Sequence, residues 1–284
     1  MSKRHALVLG GGGLAGTAWI TGLLAGLAEA GDDVTAAEVI IGTSAGAVVA
    51  AQLGSSLPLP ELFARQADPE RQTAEVPATA DLRQIGARIG AYLAGARTRS
   101  EVLRAIGQFA LAADTPPETG RLAGIRSRLP DGNWPARLIR LTAVDCETGE
   151  LTVFDRDSGV PLADAVAASC AVPGVWPPVS IGGRRYLDGG VRSSDNADLA
   201  TGYDRVTIIS PSGLRSALPS PLPLPEVVAR LRADGSDVTV VSPDEASAAA
   251  FGANPLDPAT RTPAALAGLA QGRAGLAACA IALG

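Results

Sequence analysis

Apolar and polar positions along the chain alternate between short strand-like runs and helical stretches. Ala6-Leu7-Val8-Leu9 is an unbroken apolar run, followed by the glycines Gly10 to Gly13 and then by a helical pattern from about Leu14 to Ala30 that ends near Gly31. The order then repeats: β-branched Val39-Ile40-Ile41 leads through Gly42-Thr43-Ser44-Ala45-Gly46 into a helix-favouring Ala/Val stretch. Between Leu57 and Pro135 the pattern is helical, with Leu82, Ile85, Ile89 and Leu93 in one stripe and Val102, Ile106 and Phe109 in another, bounded by Pro116, Pro117 and Pro130. Strands are predicted at Ala136 to Val144 and Leu151 to Phe154, joined by the turn Cys146-Glu147-Thr148-Gly149. A short helix near Leu162 to Ser169, a Pro/Gly-rich loop from Val172 to Pro178 and short strands leading to Asp188 follow. Two late segments, Asp204 to Pro211 and Ser236 to Pro243, read as buried parallel strands separated by a loop from Leu218 to Pro225 and a helix. The alternation predicts an α/β fold: a mainly parallel central sheet covered by helices on both faces. It is expected to form a single domain over residues 1–284, with a helical insertion at about 57–135.

Composition narrows the classes. A chain of 284 residues can bury a sizeable core, and 33 glycines with only 4% aromatic residues point to closely packed helices and tight turns. A formal charge of -5 argues against a nucleic-acid partner. Cys146, Cys170 and Cys279 are scattered without disulfide or zinc spacing, so they are expected to be buried small hydrophobes, with no metal site. The basic start from Met1 to Arg4 precedes an apolar run that four glycines interrupt, which does not match a signal peptide. The longest apolar segment, Ala264 to Leu283, is broken by Gln271 and Arg273 and falls short of the roughly 18 strongly apolar residues of a membrane span. A cytoplasmic location is the expectation, and nothing fixes the oligomeric state.

Gly42-Thr43-Ser44-Ala45-Gly46 supplies the candidate chemistry. Gly-x-Ser-x-Gly between a strand and a helix holds a serine hydroxyl on a sharp turn above a sheet, as a nucleophile for acyl transfer requires. The only histidine, His5, opens the first strand and is badly placed as a base, so a carboxylate is expected to serve Ser44. Consecutive glycines at Gly10 to Gly13 let backbone amides converge on an oxyanion or a phosphate. The same stretch satisfies Gly-x-Gly-x-x-Gly through Gly11, Gly13 and Gly16, which leaves dinucleotide binding open, although Glu38 stands at the start of the second strand and not at its end. Tyr186-Leu187-Asp188-Gly189-Gly190 brings an accessible carboxylate into a double-glycine turn, which an Asx turn would also explain. Asp145 and Asp155, at other strand ends, look like turn caps.

Taken together and in order, these segments resemble the patatin-like phospholipases. The resemblance covers nearly the whole chain: Leu7 to Gly13, Ile41 to Gly46, Ala168-Ser169-Cys170-Ala171-Val172-Pro173-Gly174 with Pro177-Pro178, and Tyr186 to Gly190. It implies a lipid acyl hydrolase acting through a serine-aspartate dyad, without a cofactor. Ser44 would be the nucleophile, Asp188 its partner, and the amides of Gly11, Gly12, Gly13 and Leu14 the oxyanion hole, with Gly16, Gly42, Gly46, Gly189 and Gly190 as motif glycines. The expected substrate is a lipid or other acyl ester, with possible transient contact with a membrane surface. Two positions depart from the family pattern: Ala15 stands where many members carry Arg or Lys, and Asp195-Asn196-Ala197-Asp198 replaces an Asn-Pro pair. Leu187, Val191 and Trp176 would desolvate Asp188 enough for it to act as a base. Arg83, Arg88, Arg97, Arg99 and Arg104 in the insertion offer either a lipid-phosphate contact or, more simply, a solvated helix face. The competing functions are a nucleotide-binding oxidoreductase and a lipid-binding homologue with feeble catalysis.

Overall fold

The computed structural model describes residues 3–75, 78, 80–213 and 220–283. Its eight strands are β1 (His5–Leu9), β2 (Val39–Gly42), β3 (Leu138–Asp145), β4 (Leu151–Phe154), β5 (Val179–Ile181), β6 (Arg184–Asp188), β7 (Arg205–Ile209) and β8 (Asp237–Val241). One sheet runs β5-β6-β3-β2-β1-β7-β8, with β4 also paired to β3. β3, β2, β1, β7 and β8 are mutually parallel, as expected, whereas β4 and β6 run antiparallel to β3. Every residue of β1 and β2 is buried, which is why these strands read as continuous apolar runs and not as alternating ones.

Helices lie on both faces. α1 (Gly13–Glu29), α2 (Ala45–Leu53), α3 (Leu59–Ala67), α4 (Leu82–Gly95), α5 (Arg99–Ala112), α6 (Glu118–Arg128) and α7 (Leu162–Ser169) are followed by α8 (Leu224–Ala233), α9 (Glu245–Ala250), α10 (Arg261–Gly272) and α11 (Leu276–Cys279). Leu7, Leu9 and Ile40 point into a core shared with α1, α2, α7 and α10, while Ala6, Val8, Val39 and Ile41 point the other way against α8. Every residue of α1 from Leu14 to Leu27 is buried. The stripes expected in the insertion fall on α4 and α5, where Ile85, Ile89, Val102 and Ile106 pack as core against Val144, Trp176, Leu187 and Val191. The five insertion arginines are exposed, with Arg99 3.0 Å from Glu226, so they form a solvated face. The expected loop from Leu218 to Pro225 needs one correction: α8 begins at Leu224, with Pro225 in its first turn, where no intrahelical N–H is required. Leu218 and Pro219 of that loop, and Met1 and Ser2 of the basic start, lie outside the described residues.

Candidate active site

Strand register brings the site together. Leu141 of β3 pairs with Gly42 of β2 and with Phe154 of β4, so those strands flank it on opposite sides. Ala143, two residues on, pairs with Thr152 of β4 and with Asp188 of β6. β6 therefore takes over from β2 on the same side of β3, just past the point where β2 gives way to the turn carrying Ser44. Residues 144 apart in sequence meet because one strand continues the line of another.

Ser44 sits on that turn with φ 53 and ψ -113, one of two non-glycine residues with positive φ among the described residues. A conformation of this kind costs a residue with a side chain on the order of 1–3 kcal/mol and persists only where the surroundings impose it. The surroundings here are specific. The Ser44 amide donates to Ser169 Oγ at 2.9 Å, and Cys170 Sγ donates to the Ser44 carbonyl at 3.3 Å. Burial pushes the Cys170 thiol up to about 12, so it stays protonated and able to donate. A Cβ on Gly46 would fall on the Leu9 carbonyl, so only glycine lets α2 cross β1 this closely.

Asp188 is 4% exposed and shares with Ser44 a cavity of about 690 Å³ lined also by Leu82, Val172, Val191 and Leu256. Its Oδ1 accepts from the Gly190 amide at 2.7 Å, so the Asx turn forms as well. Burial raises the Asp188 carboxyl to about 6, against the Gly190 amide, the Ser44 hydroxyl and the Arg121 charge, which all favour the ionised form. Asp145 and Asp155 do cap turns: Asp145 Oδ1 accepts from the Glu147 and Thr148 amides, and Asp155 caps the 3₁₀ turn at Arg156–Ser158. His5 lies at the opposite end of β1, hydrogen-bonded to Thr207 and to Arg205 and lowered to about 4 by burial and the Arg205 charge.

In the glycine loop one expectation is corrected. The Gly11 amide donates to the Ser194 carbonyl at 2.8 Å, so it is not available to an oxyanion. No carbonyl or side chain among the described residues accepts from the amides of Gly12, Gly13 or Leu14, which open the first turn of α1 beside Ser44.

Residues 7–201 match the patatin-like phospholipase family. The chain belongs to that family. Patatin-like proteins are lipid acyl hydrolases, and the matched span contains Ser44, Asp188 and the glycine loop. Among solved structures, the chain is similar to VipD from Legionella pneumophila, at 13% identity over 99% of this chain and 68% of VipD, with a TM-score of 0.45. It is also similar to the type III effector protein ExoU, at 17% identity over 97% of this chain and 53% of ExoU, with a TM-score of 0.43. This chain thus spans about half the length of ExoU.

In this patatin-like chain the dinucleotide alternative loses its remaining support. Glu38 precedes β2 and pairs with Arg4 at 3.4 Å, away from the glycine loop, and β2 ends in the turn that carries Ser44. Ala15, at the family's basic position, is fully buried and its amide donates to the Pro255 carbonyl at 3.0 Å.

Several site residues escaped sequence reasoning. Asn196 is fully buried, and its Nδ2 donates to Thr43 Oγ1 at 3.1 Å, to Gly189 O at 3.1 Å and to Ser193 O at 2.8 Å, tying the Ser44 turn to the Asp188 loop. The replacement of the family's Asn-Pro pair signalled a change here but not this bond pattern. Asp195 is buried against Gly10 with Oδ1 unpartnered, and burial raises its carboxyl to about 7 despite the Ser210 hydroxyl. Arg121 of α6 is 8% exposed and stacks 4.0 Å over the Trp176 ring. The one available signal for it was its place four residues before buried Ile125, an arginine on an apolar stripe.

Proposed function

We propose that this patatin-like protein hydrolyses carboxylic esters of lipids with Ser44 as nucleophile and Asp188 as its base. One observation carries the proposal: a serine held at positive φ on a strand-to-helix turn shares a cavity with a buried carboxyl poised near neutrality. Asp188 orients the Ser44 hydroxyl and accepts its proton as Ser44 attacks the ester carbonyl. The amides of Gly12, Gly13 and Leu14 hold the developing oxyanion, aided by the N-terminus of α1. Asp188 then returns the proton to the leaving alcohol, and water repeats the sequence on the acyl-enzyme. A carboxyl near 6 is ionised at neutral pH yet basic enough to share a proton, which an exposed aspartate near 3.9 is not. The apolar wall of Leu82, Val172, Val191 and Leu256 suits an acyl chain.

Hydrolysis of p-nitrophenyl butyrate and p-nitrophenyl palmitate by wild type, Ser44→Ala and Asp188→Asn tests the proposal. Each variant is expected to lose at least about 10³-fold in kcat while melting like wild type. Full activity in either variant would remove that residue from the mechanism.

A further inference from the structure

Two cavities meet at Ser44, and their walls differ. The apolar one that also holds Asp188 is described above. The other, about 390 Å³, shares Gly13, Ser44, Val172 and Leu256 with it but runs toward Arg121, Arg128 and Glu75. A third, about 350 Å³, continues the second past Arg128 to Arg261, Arg65 and Arg71.

Charge along this path does not balance. Glu75 is the one carboxylate lining either basic cavity among the described residues, and it is already engaged by Arg128 and lies 3.8 Å from Arg261. Arg261 is also satisfied by Gln66 Oε1, Thr73 O and Arg65 O, each at 3.1 Å. Arg65 and Arg71 are shared with Glu61. Arg121 alone among these arginines makes no salt bridge and no hydrogen bond among the described residues: Glu75 and Asp188 act on it only through space, its Nε is buried and unpaired, and the face of Trp176 supports the guanidinium. A buried guanidinium with no anion in contact is costly, because the hydration lost at its buried Nε is not replaced. The group opens on the same cavity as Ser44, where an anionic ligand could reach it.

We propose that Arg121 is a specificity-determining residue that receives an anionic group, phosphate or carboxylate, carried on the alcohol half of the ester that Ser44 attacks. The inference rests on Ser44 being the nucleophile. The two cavities then divide the substrate at the scissile bond: the acyl chain lies along Leu82 and Val191, and the charged alcohol lies under Arg121. The basic cavity is the smaller of the two, and Arg121 and Arg128 give its wall the charge that receives a small anion. Arg121 also supplies, from α6, a positive charge beside the glycine loop that Ala15 does not.

The test compares kcat/KM for 1-oleoylglycerol, 1-oleoylglycerol 3-phosphate and the 3-oleoyl ester of glyceric acid in mixed micelles of one neutral detergent. Wild type, Arg121→Lys and Arg121→Gln are each assayed, with p-nitrophenyl butyrate as a neutral soluble control. Wild type is expected to prefer at least one anionic ester over the neutral one by about 10- to 100-fold, as a buried charge-assisted bidentate contact supports. Which anionic ester wins distinguishes phosphate from carboxylate. The preference should shrink in Arg121→Lys and vanish in Arg121→Gln, and inorganic phosphate should inhibit butyrate hydrolysis by wild type more strongly than by Arg121→Gln. Equal kcat/KM for all three oleoyl esters in wild type overturns the inference whatever the variants do, as does a preference that survives Arg121→Gln. Hydrolysis of the butyrate without an anion preference removes only the role of Arg121. A folded wild type that hydrolyses nothing removes the nucleophile assignment, and the inference with it.

Discussion

Ser44 is held in its unusual backbone conformation by two neighbours in sequence that are distant from it, Ser169 and Cys170. Ser169→Ala leaves the buried Ser44 amide without an acceptor, a loss of about 1–3 kcal/mol. Its expected signature is a lower kcat on p-nitrophenyl butyrate with little change in KM, because the hydroxyl is misaimed while the cavity is intact. The Asp188 carboxyl, raised to about 6, sets the pH profile. The base must be ionised, so log kcat/KM should rise with unit slope up to about pH 6 and level off above it, a profile read by stopped or continuous assay between pH 4.5 and 8. Asp195 gives a stability effect of opposite interest. Its folded-state carboxyl is raised to about 7, so the fold favours the protonated form; that contribution is complete below the ordinary aspartate range and is lost as pH rises through 7. Asp195→Asn should therefore melt higher than wild type at pH 8, by a few kcal/mol of stability at most, with the gap closing toward pH 4 in differential scanning calorimetry. The turns that carry Ser44 and Asp188 were legible in the sequence because glycines mark each of them. Ser169, Asn196 and Arg121 were not, since their roles exist only across chain separations that a local pattern does not encode.

At the scale of elements, abundant glycine has a concrete use where α1 meets α10. A Cβ on Gly26 would press on the Leu269 carbonyl and stand 2.8 Å from the Arg273 amide, and one on Gly268 or Gly272 would strike the backbone of α1. The two helices pack backbone against backbone, as the Gly-rich, aromatic-poor composition predicted. Gly26→Leu should destabilise the fold by on the order of 1–3 kcal/mol or more through overpacking, seen as a lower denaturation midpoint in urea with an unchanged m-value. Gln271, which interrupts the apolar run near the C-terminus, is the buried polar hub of this packing: its Oε1 accepts from Trp19 Nε1 and Ser247 Oγ at 3.0 Å, and its Nε2 donates to Ser242 O at 2.8 Å. Parallel strands β1, β2, β7 and β8 were legible as apolar runs. The antiparallel β6, which delivers Asp188, was visible only as a short strand, because direction and partner depend on register with β3 and not on local composition.

For the molecule as a whole, the site lies where an α/β sheet commonly places one, beyond the C-terminal ends of its parallel strands and against the first turns of α1 and α2. A formal charge of -5 over the chain coexists with a cavity path lined by five arginines. No helix among the described residues is long and apolar enough to cross a membrane. The family, the sheet and the position of the strand-to-helix turn carrying Ser44 were legible from spacing and order. The division of the site into an apolar and a basic cavity was not, because α6 and the loop at Pro255 and Leu256 carry no motif and reach Ser44 only through tertiary packing. The central claim, that Ser44 is an activated nucleophile served by Asp188, is tested most directly by reacting the folded protein with a fluorophosphonate and mapping the adduct by peptide mass spectrometry. A single adduct on Ser44 in wild type, with labelling slowed by at least about 10²-fold in Asp188→Asn, is expected. An adduct on another residue, or none in a protein that melts cooperatively, would contradict it.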